Sequence, residues 1–485
     1  MQERAEHTLP QWGVESLEVK GLFGQFDYAL PAKAAFRDIV IFYGDNGTGK
    51  TTLLEILFHL LSSKERGGHR TTLSKIPFRS LKVRVADGTL LTVERPAGDP
   101  MGVPLTFAIT RPGAKRVAWR FYPGDSRERE LAYLKGIASG ELDEEFRLTL
   151  EDRVISAADL QALPASARQR LLRDLVQDQN RDEYHAELRA LGLNVYFVSS
   201  DRQVRSDNVR NNEWSQLVGE GEKISARSHR DLIASVRAAL AARTLDETFR
   251  WISSQAYRAA NEGSESVNSI YGRVVRGLSG YVVSDIEVNT AQLVSRLQSI
   301  ANTSSLYARY EFTSPLSATE MAADIDQAQP GQRQVIQEIL TPYLDGLDAR
   351  LAALKPIYET TSTFVQSVNK FYSRKKLHFS LTRGFSIVSD SGEKLELGQL
   401  SSGELQLLLL FCYTLNARER RTVIMIDEPE ISLNVKWQRA LISSLEQLSQ
   451  RSNVQFFFAS HSIDMISNHR DNVAHLNSPA LADEP

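Results

Sequence analysis

Residues 39–55 read IVIFYGDNGTGKTTLLE: an apolar run, a glycine-rich turn, and a leucine-rich run that continues with helical spacing to Leu61. Gly44 to Thr51 fits G-x-x-x-x-G-K-[ST], and it stands where that spacing has physical meaning, after a strand and before a helix. The glycines let backbone N–H groups wrap a polyphosphate, and the helix start adds its own unpaired N–H groups and positive dipole end. On this reading Gly44, Asp45, Asn46, Gly47, Thr48, Gly49, Lys50, Thr51 and Thr52 cradle the phosphates of ATP. Lys50 meets the β and γ phosphates, and the Thr51 hydroxyl is a ligand for Mg²⁺.

Two later runs extend the pattern. Val423 to Glu428 (VIMIDE) is an apolar strand ending in two carboxylates, which suits Asp427 to hold Mg²⁺ through water and Glu428 to polarise the attacking water. Phe456 to Ser462 (FFFASHS) is a further apolar strand with a polar tip, where His461 is set to contact the γ-phosphate. Glu428 and His461 are thus the expected catalytic residues.

Working outward, the chain opens as strand, turn, strand, with Val14 to Lys20 before the turn and Asp38 to Tyr43 leading into the glycine loop. After the first helix, ended by Gly67-Gly68, four short β-type segments follow: Leu81 to Val85, Leu90 to Glu94, Leu105 to Thr110 and Lys115 to Phe121. Turn signals separate them, so they predict an antiparallel meander. The expected organisation is an N-terminal lobe (1–125), a charge-rich helical segment (126–192), a returning strand (193–203), a helical insertion (204–372) and a C-terminal lobe (373–485). The helical insertion is interrupted near Gly263, Gly277 to Gly280 and Pro330-Gly331, and no heptad run is long enough for an extended coiled coil. The fold class is α/β, one nucleotide-binding fold split by a large helical insertion.

Composition narrows the function. With 57 Lys+Arg against 60 Asp+Glu in 485 residues, the net charge of −3 makes the molecule no general sink for nucleic acid. The single cysteine, Cys412, sits in the apolar run Leu407 to Leu415, which excludes an internal disulfide and a cysteine-clustered zinc site. The start, MQERAEHTLPQWG, lacks the apolar core of a signal peptide, and no stretch reaches the ~20 apolar residues that span a bilayer. A cytoplasmic protein without membrane contact is expected.

Leu400-Ser401-Ser402-Gly403-Glu404, just before a helix, resembles the ABC signature motif. It comes ahead of the acidic strand and then the histidine strand, and the whole chain is similar to an ABC ATPase head, a P-loop NTPase. The resemblance implies that ATP is held between two heads. The signature residues Ser401, Ser402, Gly403 and Glu404 of one would cap the phosphates on the other, with Ser401 and the Gly403 N–H at the γ-phosphate. Ser402 stands where many transporters have glycine. Pro429 to Asn434 (PEISLN) is similar to the D-loop, with Ser432 and Asn434 as its polar contacts. Gln203, beside Arg202, is the candidate glutamine-loop residue and a further Mg²⁺ contact; Phe23, Phe26 and Tyr28 are the candidates for adenine stacking.

The split head resembles the SMC-like and OLD-like ATPases. Gly44-to-Thr52 and the run from Val368-Asn-Lys-Phe-Tyr-Ser-Arg-Lys-Lys-Leu377 to Glu404 look like the AAA-labelled ATPases of bacterial phage-defence operons such as PARIS and, next, Septu. OLD nucleases carry a TOPRIM domain after the ATPase, and no such stretch follows His461. The resemblance therefore implies an ATP-hydrolysing sensor and scaffold, in a toxin-antitoxin-like arrangement, that controls a separate nuclease effector of TOPRIM type and answers to a phage-encoded trigger protein. It also implies self-association in pairs, which the helical insertion would assemble into a larger ring. The alternative is an SMC-like DNA-repair or DNA-maintenance ATPase acting directly on DNA. It draws on residues 64–120, where 12 Lys/Arg face 4 Asp/Glu and Lys64, Arg66, Arg70, Lys75, Arg79, Lys82 and Arg84 would line a phosphate-tracking surface.

Overall fold

A computed structural model gives the architecture. It describes residues 12–32, 35–65, 67–96, 101, 104–121, 123, 147–150, 153–156, 179–200, 204–206, 237–262, 290–431, 433–450 and 452–476. The chain divides into two compact units, 1–212 with 417–443 and 451–485, and 213–416 with 444–450.

The first unit is built on two sheets. Strands β1 (Val14–Leu22), β2 (Phe26–Leu30), β4 (Ser80–Val85), β5 (Leu90–Glu94), β6 (Leu105–Thr110) and β7 (Val117–Phe121) form an antiparallel sheet in the order β2-β1-β4-β5-β6-β7. Their alternation buries one face, as in the iBiBeB pattern of β4. The second sheet runs β11-β10-β15-β16-β3-β17, made of β3 (Ile39–Gly44), β10 (Asn194–Val198), β11 (Val204–Ser206), β15 (Thr422–Asp427), β16 (Val454–Ser460) and β17 (Val473–Leu476). All but β11 pair in parallel. β15 and β16 are buried at every position, which is why they read as unbroken apolar runs. The Lys50–Leu61 helix packs on β10, β15 and β16, and one core joins Leu53, Leu57 and Phe58 of this helix to Leu17 and Val19 of β1 and Met425 and Phe457 of the parallel sheet.

Gln455, fully buried in β16, locks the two sheets together. Its amide accepts from Val14 N at 2.8 Å and donates to Val14 O at 2.8 Å and Arg37 O at 3.0 Å.

The basic meander of the sequence reading is partly dismantled. Arg70 is buried; it donates to His59 O and Ser62 O, capping the carboxyl end of the Lys50–Leu61 helix, and lies over the Phe107 and Tyr184 rings. Arg95 is also buried, with its guanidinium on Ser74 O and Ile76 O and over Phe78. Lys82 pairs with Glu18, and Arg111 with Glu187. Lys75, Arg79 and Arg84 remain exposed, while Arg66 lies outside the described residues.

Beside Arg70, His59 Nδ1 and His69 Nδ1 meet at 2.9 Å in the core. Burial pushes His59 down to about 3 and His69 and His185 to about 4, helped by the Arg70 charge. Unfolding returns them to about 6.5, where they bind protons more readily. Their stabilising contribution is thus fully present above about pH 6.5 and drains away as pH falls toward 4. We expect the urea midpoint to drop steadily between pH 7 and pH 5, each site adding up to about 1.4 kcal/mol per pH unit. A midpoint independent of pH across that range would contradict this account.

The second unit contains helices over 237–262, Thr290–Ala308, Ala318–Gln327 and Ser402–Asn416, a 42-residue helix Pro330–Phe371, and the hairpin sheet β12 (Lys375–Ser380), β13 (Gly384–Ser389) and β14 (Lys394–Leu395). Arg296 bridges Asp345 and Asp348, and Tyr307 stacks on Tyr358 at 4.4 Å, tying two helices along their length. Asn369 clamps β12 by exchanging two hydrogen bonds with Leu377.

The expected break near Pro330-Gly331 falls between the helices Ala318–Gln327 and Pro330–Phe371; Pro330 opens the second at its first turn, and that helix runs on through Pro342 and Pro356. Three expectations are corrected. The segment 126–192 is not wholly helical, because Arg147–Leu150 pairs with Arg153–Ser156 as a hairpin, β8 with β9, whose polar–apolar alternation fits a strand. Residues 373–416 group with the helical unit rather than with the C-terminal strands. The first helix stops at Leu61, with Ser62 as its cap, ahead of Gly67-Gly68.

Candidate functional site

The site forms at the carboxyl ends of adjacent parallel strands, where α/β sheets hold ligands. β16 lies between β3 and β15, so its tip separates the glycine loop from the acidic strand end. After β3, Asp45, Asn46 and Gly47 are exposed, while Thr48 is buried and donates its hydroxyl to Asp45 O at 2.8 Å. Lys50 is only 5% exposed and its Nζ donates to Gly44 O and Asp45 O, each at 2.9 Å, so the ammonium is already folded across the loop. Gly44 is required by space: a Cβ there would lie 2.5 Å from the carbonyl oxygen of Leu476 in β17. Gly47 is required by conformation, with φ +86° and open surroundings. Thr52 is half-buried behind the loop.

Of the three aromatic candidates, Phe26 and Tyr28 are buried and stack on each other. Tyr28 props the loop instead, donating its hydroxyl to Thr48 O at 2.8 Å, and burial pushes its pKa up to about 12. Phe23 alone is exposed, at 41%, in a left-handed conformation (φ 52°) fixed by its N–H on Pro77 O. It is the one ring of the three that is open to solvent.

Thr51 donates its hydroxyl to Asp427 Oδ1 at 2.8 Å. Asp427 is 2% exposed; burial raises its pKa, opposed by hydrogen bonds from Thr51 and Ser200 and by the Lys50 charge. A buried acid beside a hydroxyl is a hard-oxygen donor set, which fits Mg²⁺.

Glu428 follows at φ 48°, a left-handed backbone rare for a side-chain residue, and its N–H donates to Ala459 O of β16 at 2.9 Å. Its Oε2 is 2.8 Å from His461 Nδ1, and Oε1 of Glu430 is 3.3 Å from the same nitrogen. Burial, then the Glu430 charge, raises the Glu428 pKa, opposed by His461. A raised carboxylate beside a phosphate site has the character of a base for water.

With this geometry in view, the family described as "AAA domain, putative AbiEii toxin, Type IV TA system" matches residues 39–467. The chain belongs to that family. A comparison with curated proteins finds no match. Among solved structures, the chain is similar to an Smc head domain with an extended coiled coil bound to the C-terminal domain of ScpA, from Pyrococcus furiosus, at 11% identity and TM-score 0.32, covering 94% of this chain and 92% of that one. The SMC head domain from Thermotoga maritima gives 9% identity and TM-score 0.28, covering 94% and 91%. At those scores the fold rests on the strand order above, an α/β P-loop head with an antiparallel N-terminal sheet.

In this AAA-domain chain, the site assembles Gly44 to Thr52, Asp427, Glu428 and His461 within one unit. Ser401 to Glu404, expected to be the signature, belong to the other. There Ser401 and Ser402 are exposed, Gly403 and Glu404 buried. Glu404 Oε2 receives the Ser401 N–H at 2.8 Å, the Ser401 hydroxyl at 2.7 Å and Lys375 Nζ at 3.0 Å, and its N–H returns to Ser401 Oγ at 3.3 Å. This is a reciprocal helix cap reinforced by a lysine. Burial alone would raise the Glu404 pKa, but the Ser401 and Lys375 bonds hold it below its ordinary value. Asn434 caps the Val435–Ser449 helix through Trp437 N. Gln203, Arg202 and Ser432 lie outside the described residues. Among the described residues no helix is long and apolar enough to cross a membrane.

Sequence reasoning passed over Glu430, Ser200 and the bracing role of Tyr28. The only signal for Glu430 was a third carboxylate closing the run Asp427-Glu428-Pro429-Glu430.

Proposed function

We propose that this chain binds MgATP and hydrolyses it. The supporting observation is the convergence of the glycine loop, the Thr51–Asp427 pair and the Glu428–His461 pair at the ends of β3, β15 and β16. Lys50 and the loop N–H groups bind the phosphates, Phe23 stacks on the base, Glu428 takes a proton from the attacking water, and His461 contacts the terminal phosphate. When bound, Mg²⁺ would be held by Thr51 and Asp427 and would neutralise developing phosphate charge. Two copies close on the nucleotide, each presenting Ser401 and the Gly403 N–H to the other's phosphates, so hydrolysis changes how the copies are joined.

The cellular role we infer is the switch of an anti-phage system of the PARIS or Septu kind, holding a separate nuclease effector until a phage protein alters the ATP-bound state. The toxin-antitoxin wording of the family description supports this direction. Direct action on DNA is less favoured, because Arg70 and Arg95 lie in the core and Lys82 and Arg111 are ion-paired.

The test is turnover and mass of the purified chain with ATP, with and without duplex DNA. Turnover indifferent to DNA, with a mass that doubles in ATP, is expected. Severalfold, salt-sensitive stimulation by DNA would overturn the switch reading.

A further inference from the structure

Glu430 is placed to do more than continue the loop after β15. Its side chain is about 5% exposed, although it ends in a carboxyl group. Oε1 accepts the Ser460 hydroxyl at 2.7 Å and the His461 N–H at 2.9 Å, and stands 3.3 Å from His461 Nδ1. Oε2 is buried with no hydrogen-bond partner among the described residues. Burying a half-satisfied carboxylate is costly, and an apolar residue would avoid the cost. The loop itself is fixed without the carboxylate, since Glu430 O accepts from Leu433 N at 3.0 Å and from Gln438 Nε2 at 3.4 Å. What the carboxylate adds is confined to the tip of β16.

We propose that Glu430 is a positioning residue for the ATPase reaction: it anchors Ser460 and the His461 backbone and turns the imidazole so that Nε2 is the nitrogen presented to the terminal phosphate. This rests on the hydrolysis reading above. The ring geometry follows from donor chemistry. Ionised carboxylates only accept, so an Nδ1 lying 2.8 Å from Glu428 and 3.3 Å from Glu430 carries a proton, and the opposite ring nitrogen faces outward. Glu428 alone would hold the ring from one side. Glu430, fixing both ring and backbone, stops the ring from following Glu428 as that side chain engages water. The ring is half exposed, at 52%, so no surrounding wall supplies this restraint.

The experiment is steady-state ATP turnover of the full chain as wild type, Glu430→Gln, Glu430→Ala, His461→Gln and the Glu430→Gln/His461→Gln double variant, with MgATP affinity measured separately. Gln keeps an acceptor for the Ser460 and His461 donors and removes the charge. Glu430→Gln should lower kcat at least tenfold with KM and MgATP affinity within threefold, and the double variant should be no slower than His461→Gln alone, because both changes remove one function. A kcat within threefold of wild type, or effects that simply multiply in the double variant, would overturn the proposal and leave Glu430 as a fold anchor. Should Glu430→Ala fail to fold, the Gln variant still decides. Wild type turning over no faster than Glu428→Gln would instead remove the hydrolysis reading, and the role of Glu430 with it.

Discussion

Glu428→Gln is expected to cut kcat for ATP by about two to three orders of magnitude, within the usual range for loss of a positioned general base. The replacement has the same shape, so Asp427, Lys50 and the loop are undisturbed and MgATP affinity should stay within threefold. Three observations set the size of the effect. The carboxylate follows β15 on a left-handed backbone that a side-chain residue rarely adopts. Burial and Glu430 raise its pKa, making it a stronger base than a surface glutamate. Among the described residues His461 is the ion-pair partner of Glu428, and a glutamine keeps an acceptor for its Nδ1–H while losing basicity. Retention of more than a tenth of wild-type turnover would mean that water is activated elsewhere. Because ATP joins two copies in the proposed cycle, the variant should also accumulate at doubled mass in ATP. A monomeric mass with ATP bound would sink the composite-site reading while leaving the base assignment intact.

The second large effect concerns the loop's first glycine. Gly44→Ala puts a methyl group 2.5 Å from Leu476 O, 3.1 Å from Leu476 Cβ and 3.2 Å from Thr48 Oγ1. The nearest of these is backbone, so it cannot rotate away; either β17 shifts from β3 or the loop opens. Overpacking of this kind costs about 1–3 kcal/mol, and here it falls on the hinge of the phosphate cradle. MgATP affinity should weaken at least tenfold, with a lower melting temperature. Gly47→Ala supplies the contrast: its φ of +86° is unfavourable for alanine, but nothing lies within 4 Å. It should cost about 1–2 kcal/mol, as local strain only. Equal effects of the two substitutions on stability would show that β17 does not press on the loop as described.

These contrasts mark what a sequence reveals. The glycine loop, Asp427 and Glu428 were legible because β3 and β15 are apolar runs buried on both faces, and their polar ends stand out. β17 was not: Asp471-Asn-Val-Ala-His-Leu476 offers only two well-buried positions in a polar setting, so it read as tail. The 42-residue helix was legible from the break at Pro330-Gly331 onward, and it runs through Pro342 and Pro356, which local rules treat as breaks but which packing overrides. Arg70 and Arg95 read as surface charge because the carbonyls that receive them belong to neighbouring turns that only folding assembles. Glu430 is the sharpest case. Its partners Ser460 and His461 lie 30 and 31 positions later, and nothing in Pro-Glu-Ile announces which way the carboxylate turns.

The pairing of β3 has a consequence for how the protein comes into being on the ribosome. Both neighbours of β3 are β16 and β17, and the Val14–Gln455 clamp joins positions 441 apart. At a synthesis rate of about 5–20 residues per second, the strand that feeds the phosphate loop emerges on the order of tens of seconds before anything can pair with it. The antiparallel strands β4 to β7, contiguous in the chain, can close early, while Ile39 to Phe42 wait as an open apolar edge of the kind that recruits other chains. A nascent molecule halted before residue 454 has its glycine loop but no sheet to hold it. The nucleotide site is the last part of this protein to be born.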